Sequence, residues 1–196
     1  MNRKLTPRGR ERRRQLMDFA ARRFAENGYH PTSVAEIVSG MGVGKGVFYW
    51  YFSSKDELFE EILREGQLAL RRCQQAAIGD EPDPVRRIEL GIRASFDWLA
   101  ENRHVATLSR VAATEKRFLP VLRRGQDIAV ADVVRHVKEG VVAGVIRDTD
   151  PLVLAHAILG VTNELATQFL FKRGDPANET ADAAVAFCLQ GLAIER

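Results

Sequence analysis

Cysteine is scarce in this sequence. Cys73 and Cys188 stand 115 positions apart, with no CxxC spacing and no histidine at ligand distance, so neither a disulfide framework nor a zinc site is expected. Both are read as small apolar core residues rather than a redox pair. No apolar run reaches the roughly 18 residues that cross a bilayer. The basic start also lacks the apolar stretch of about 7 to 15 residues found in secretory signals. The expected compartment is therefore the cytoplasm, with no membrane partner. Glycine (15) and proline (7) are ordinary for 196 residues, which excludes collagen-like and low-complexity chains. Period-two alternation is absent, so strands are not expected. His30, His104, His136 and His156 show no metal spacing, and no GxSxG or paired-carboxylate arrangement occurs. The reading is no metal, no cofactor and no enzyme.

What the chain does have is uneven charge. Residues 1–55 carry 11 Lys/Arg against 4 Asp/Glu, or +7, and residues 56–196 carry 18 against 22, or −4. A basic head on a mildly acidic body attracts a polyanion, either nucleic acid or an anionic membrane. A membrane would need bulky residues along a basic amphipathic helix, and the segment before Leu16 has almost none.

Helical periodicity organises the rest. Residues 1–9 read as a basic flexible arm, and Leu16, Phe19, Ala20, Phe24 and Ala25 place a helix over about Arg10 to Asn27, stopped by Asn27-Gly28. Ser33-Val34-Ala35-Glu36 is a capping box that opens a short second helix. Gly40-Met41-Gly42-Val43-Gly44 then makes a tight turn into a third helix. That run is no phosphate cradle: Ser39 and Gly46 stand where a P-loop needs glycine and a hydroxyl, and Lys45 displaces the third glycine of a dinucleotide fingerprint. A fourth helix starts after Ser53-Ser54, with Ser54 as cap and Asp56 and Glu57 complementing its dipole. Beyond the loop at Gly79–Pro84, helices are expected over Val85–Asn102, Val105–Thr114, Phe118–Ala143, Pro151–Lys172 and Glu179–Ala193.

Projected as a helix, Gly44–Phe52 turns Val47, Phe48, Tyr51 and Phe52 to one side and Lys45, Gly46, Tyr49 and Trp50 to the other. The first set suits a core with Val34, Ile37 and Phe24. The second puts two large rings and a cation on a face where a solvated helix carries Glu, Lys or Gln, which marks a recognition surface. A short helix of this kind, with a basic arm beside it, fits the DNA major groove. Gly46 permits close backbone approach, Lys55 adds a cation at a helix start, and Arg8 and Arg10 of the arm suit phosphates or a minor groove.

These residues, Thr32-Ser33-Val34-Ala35-Glu36-Ile37 followed by the run Gly42 to Leu58, resemble the helix-turn-helix signature of TetR-family transcriptional regulators. The resemblance covers the head alone. It implies DNA contacts from Lys45, Gly46, Tyr49, Trp50 and Lys55, with Thr32 or Ser33 touching phosphate. Gly44 stands where the family often has Ser, and Val47 where it often has Thr, which removes two hydroxyls. The fold implied is all-α: a three-helix DNA-binding domain over 10–54, then a helical effector-binding and dimerisation domain over 55–196.

In the body, the last two helices are apolar on more than one face, which calls for cover by a second copy. Ala157, Gly160 and Ala183 permit close approach, with Leu165 and Phe187 as interface apolar groups. Two recognition helices in a homodimer would read half-sites roughly 34 to 36 Å apart in a palindromic operator. The family resemblance further implies a small-molecule pocket among the middle helices. Its candidate lining is Ser95, Phe96, Thr107, Gln126, Val130 and Asn163, suited to a mostly apolar effector such as an acyl thioester. The expected function is a ligand-released dimeric repressor on double-stranded DNA; the alternative is an architectural or redox-responsive DNA binder with no effector.

Overall fold

The computed structural model describes residues 5–193. Arg3 and Lys4 of the expected arm, and Ile194 at the other end, lie outside the described residues. Among the described residues the chain is helical with no strand, and no helix is long and apolar enough to cross a membrane. Packing divides it into two compact units. The first comprises the chain up to Gly66 together with His104–Leu122, and the second comprises Gln67–Arg103 with the chain from Arg123 onward.

In the first unit, α1 (Pro7–Asn27) begins three residues before the expected Arg10. Thr6 caps it, its Oγ1 accepting the Gly9 amide at 3.2 Å, and Pro7 supplies a preset φ at the first helical position. Residues 7–9 are thus helix rather than arm. α2 (Val34–Gly40) starts as the capping box requires, with the Glu36 amide 3.1 Å from Ser33 Oγ. Gly42, at φ +63°, turns the chain into α3 (Lys45–Tyr51). α4 (Lys55–Ile78) opens with its Glu57 amide donating to Ser54 Oγ at 3.0 Å.

Leu16, Phe24, Ile37, Phe48 and Phe52 meet Leu58, Phe59 and Leu63 of α4 in one core. Leu108 and Ala112 of α6 (Arg103–Ala113), and Phe118 at the end of a 3₁₀ turn (Lys116–Phe118), complete it. Each buried large side chain contributes about 1.5–3 kcal/mol. A cut at residue 54, where the sequence places the domain boundary, would separate α3 from the α4 side chains it packs on. Close approach is enforced at Gly40, where a Cβ would fall 2.3 Å from Phe19 Cζ, and at Gly66, where it would fall 2.5 Å from Val105 Cγ1.

The second unit contains α5 (Pro84–Glu101), most of α7 (Leu119–Val142), α8 (Pro151–Leu165) and α9 (Ala177–Leu192). Asp83 caps α5 through the Val85 amide and Asp150 caps α8 through the Leu152 amide, both at 2.9 Å. Ile88, Ile92, Phe96, Val137, Leu154, Ile158, Val185 and Cys188 form its core. The single helix expected over Pro151–Lys172 is instead two: α8 ends at Leu165 and the chain widens into a π-helix over Ala166–Arg173, closed by Gly174 at φ +79°. Apolar periodicity does not register a change of winding, so the sequence reads straight through it.

Candidate functional site

The α2–turn–α3 segment closes on itself through main-chain hydrogen bonds. Met41 N–H donates to Ile37 O, Gly42 N–H to Ser39 O and Val43 N–H to Val38 O, which closes the turn internally. Phe48 and Phe52 are fully buried and anchor α3 from beneath. Tyr49 and Trp50 stand outward, 57% and 60% exposed, beside exposed Lys45 and Gly46. The facial split read from the sequence is therefore the arrangement in the fold. A Cβ at Gly46 would meet nothing within 4 Å, so the chain itself has no steric need for glycine there. Gly44, in place of the family's hydroxyl residue, leaves α3 with no side-chain cap.

Two other candidates are placed differently. Thr32 is fully buried, and its hydroxyl donates to the Gly28 carbonyl at 2.8 Å. Its side chain is unavailable to phosphate, which corrects the expectation. Ser33 is exposed, its Oγ engaged only as acceptor in the cap, so its hydroxyl proton is free to be given.

Lys55 is half-buried under the turn that joins α1 and α2. Its Nζ donates to the carbonyls of Tyr29 and Thr32 at 2.9 Å and of His30 at 3.4 Å, and lies 4.4 Å from the Tyr29 ring centre. All three donor positions are used, so Lys55 is a brace for the head rather than a free cation. Burial lowers its pKa. Alongside, Asp56 accepts from Tyr29 Oη and, at 2.9 Å, from Arg117 Nη1; the Tyr29 bond and the guanidinium hold its carboxyl below the usual range.

The basic stretch of α1 separates in the same way. Arg13 donates to Glu61 at 2.6 Å and lies over the Phe52 ring, and Arg14 binds Glu11 at 2.7 Å. Arg8 and Arg10 remain exposed, Arg10 Nη1 reaching back to Leu5 O at 2.9 Å.

The second unit holds a cavity of about 590 Å³ between the distal half of α4, the following loop, α5, α7 and α8. Ile78, Ile88, Ile92, Val133 and Ile158 give it apolar walls, and Gln74, Ser95, His136 and Thr162 give polar points. Of the expected lining only Ser95 is present. Phe96 is fully buried in the core and Val130 is buried, whereas Gln126 and Asn163 are exposed outside the cavity; Thr107 belongs to the first unit and accepts from Arg110. Two ion pairs flank the cavity: Arg71 to Asp132 through bonds of 2.6 and 3.0 Å, and Arg87 to Glu139. These pairs and His136 escaped the sequence reading. Their signal was Asp132, His136 and Glu139 at spacings of four and three, one polar stripe on a helix otherwise read for its valines.

On α8 and α9, Ala157, Gly160 and Ala183 are exposed, as are Leu152 (50%), Val153 (58%) and Phe187 (65%). Leu165, expected with them, is half-buried against the unit's own core. Cys188 is buried, with its thiol pushed up to about 11, and Cys73 Sγ faces the Ala94 carbonyl at 3.9 Å. At neutral pH a thiol so raised gives little thiolate to start redox chemistry.

Comparison with known proteins bears on the head above all. The sequence model of bacterial regulatory proteins of the tetR family matches residues 16–62. The HTH-type transcriptional repressor Rv1474c of Mycobacterium tuberculosis is 35% identical over 97 residues, 48% of this chain and 49% of that protein. The chain thus spans about half the length of that relative. The HTH-type regulator YdgC of Bacillus subtilis is 24% identical over 179 residues, 89% of each chain. The solved structure of the ketosteroid transcriptional regulator KstR2 of M. tuberculosis superposes with a TM-score of 0.72 at 25% identity, covering 94% of this chain and 96% of that one. α2, the glycine turn and α3, held on a buried aromatic base, thus lie within the segment, residues 16–62, that matches the sequence model of bacterial regulatory proteins of the tetR family.

Proposed function

We propose that the protein is a sequence-specific DNA-binding transcriptional regulator, acting as a homodimer whose operator affinity is set by a small molecule in the second unit. The observation that carries the first part is the outward face of α3. Tyr49 and Trp50 expose most of their surface beside Lys45 and a glycine that no internal contact requires. Exposed rings and an unneeded glycine both cost free energy unless a partner covers them. Duplex DNA is the partner whose groove matches a helix of this width: Lys45 reaches a guanine edge or phosphate, the rings pack on sugar and thymine methyl groups, and Gly46 lets the backbone approach. Arg8, Arg10 and Ser33 are assigned to phosphates. Thr32 and Lys55 serve that face indirectly, by holding the α1–α2 turn.

Dimerisation is supported by the apolar face of α8 and α9, where small residues at 157, 160 and 183 leave room for a two-fold partner. Paired heads read an imperfect palindrome. An effector in the cavity weakens operator binding to the extent that it prefers the state DNA does not, and DNA weakens effector binding by the same factor. Repression by occupancy accords with what its relative Rv1474c is named for.

The test is selection of DNA from a random pool followed by anisotropy titration of the enriched site. Tyr49→Ala is expected to weaken binding about 10- to 100-fold, the worth of one good base contact, at an unchanged melting temperature. A pool without symmetry, or full affinity in that variant, would refute the assignment.

A further inference from the structure

The chemistry of what fills the cavity follows from how its polar groups are already used, given the reading of that cavity as the effector site. Arg71 is bound to Asp132 through two bonds, and Arg87 is held by Glu139 and by the carbonyls of Glu81 at 2.7 Å and Pro82 at 2.8 Å. Arg135 and Asp80 are exposed to water, and the Glu81 carboxylate accepts the Asp83 amide at 2.9 Å. Three cations thus face four carboxylates around the wall, so an anion meets no positive surplus. The one carboxylate in excess does not favour a cation either: Asp80 is exposed to water, which screens it, and no Phe, Tyr or Trp lines the cavity to offer a π face.

The neutral groups are mostly committed as well. Ser95 Oγ donates to the Gly91 carbonyl at 2.7 Å and accepts from Gln74 Nε2 at 2.9 Å, and Thr162 Oγ1 donates to the Ile158 carbonyl at 2.8 Å. His136 differs. The residue is 8% exposed, and its Nδ1 lies 3.5 Å from Arg87 Nη1. A guanidinium nitrogen can only donate, so Nδ1 is the unprotonated ring nitrogen and Nε2 carries a hydrogen to give. Burial, with Arg135 and Arg87 nearby, disfavours the imidazolium.

We infer that the cavity selects an uncharged molecule with an apolar body and a carbonyl oxygen that accepts a hydrogen bond from Nε2 of His136, and rejects the same body carrying a carboxylate or an ammonium. The apolar walls supply most of the affinity, and the histidine fixes which end enters. Breaking either flanking ion pair to seat a charge would leave a partly buried partner unpaired.

The experiment uses the full chain and three twelve-carbon probes, dodecan-2-one, dodecanoate and dodecylammonium, each below its micelle concentration and titrated calorimetrically. The ketone is expected to bind at least about tenfold more tightly than either ion. His136→Leu should weaken it about tenfold, the worth of one buried hydrogen bond, and His136→Gln, which keeps an N–H, should restore it to within about threefold. Gly91→Phe should abolish binding by filling the cavity, because a Cβ there meets only Ile78 Cδ1, at 3.7 Å. Equal or tighter binding of either ion, no ketone binding at all, or ketone binding indifferent to both His136→Leu and Gly91→Phe would overturn the inference. Ketone binding that depends on His136 yet leaves operator affinity unchanged would uphold the selectivity and remove the effector reading instead.

Discussion

At Lys55 one ammonium serves three main-chain carbonyls, those of Tyr29, His30 and Thr32. Removing it leaves half-buried acceptors without a donor, a cost of about 1–3 kcal/mol. Lys55→Met is therefore expected to lower the denaturation midpoint of the first unit and to weaken DNA binding only as the head loosens. Chemical denaturation followed by tyrosine and tryptophan emission measures this; an unchanged midpoint with lost DNA affinity would return Lys55 to the phosphate contacts. Sequence placed this cation beside the head correctly, at the start of α4. It could not tell a brace from a contact, because that depends on where the Tyr29–Thr32 carbonyls point. Thr32 is the same case, a hydroxyl that the packing of α1 on α2 turns inward.

Among the elements, the α2–turn–α3 unit was the most legible, since each of its parts is a local signal. The Ser33 cap, the glycine run and the apolar spacing of Phe48 and Phe52 act over a few residues, so tertiary context had little to override. Its hinge is Gly42, whose φ of +63° an L side chain enters at a cost of roughly 1–2 kcal/mol. Gly42→Ala should destabilise the head by that amount, read as a lower melting temperature, and an unaltered melting curve would mean that the turn relaxes freely. The π-helix over Ala166–Arg173 is the opposite case: nothing local announces it, and its Ala166 and Leu170 are buried in the core of the second unit.

For the whole molecule, the surface to account for is that of α8 and α9, where Leu152, Val153 and Phe187 are exposed. Phe187→Glu is expected to convert a dimer to a monomer in sedimentation velocity at micromolar concentration. A monomeric unsubstituted protein would remove the palindrome from the proposed function. Acid should act through His136. Its pKa is lowered by burial and by Arg135 and Arg87, with Glu139 and Asp132 opposing. The unfolded chain therefore binds the proton more readily than the folded one. The associated stability is complete above the ordinary imidazole pKa of about 6.5 and declines as pH falls below it towards the folded value. Denaturant midpoints measured from pH 8 to pH 5 should show this decline, and it should shrink in His136→Gln.

Taken alone, the sequence determined the all-helical class, the position of α3 and which of its faces is wet, because helix periodicity and capping act over a turn or two. The tertiary structure decided which polar groups remain available. Lys55 and Thr32 became internal partners, five of six expected pocket residues fell outside the cavity, and a histidine from an unremarked polar stripe came to line it. Hydrogen-bond partners are assigned by distance in space, and a stripe of residues along one helix carries no record of which neighbours will face it.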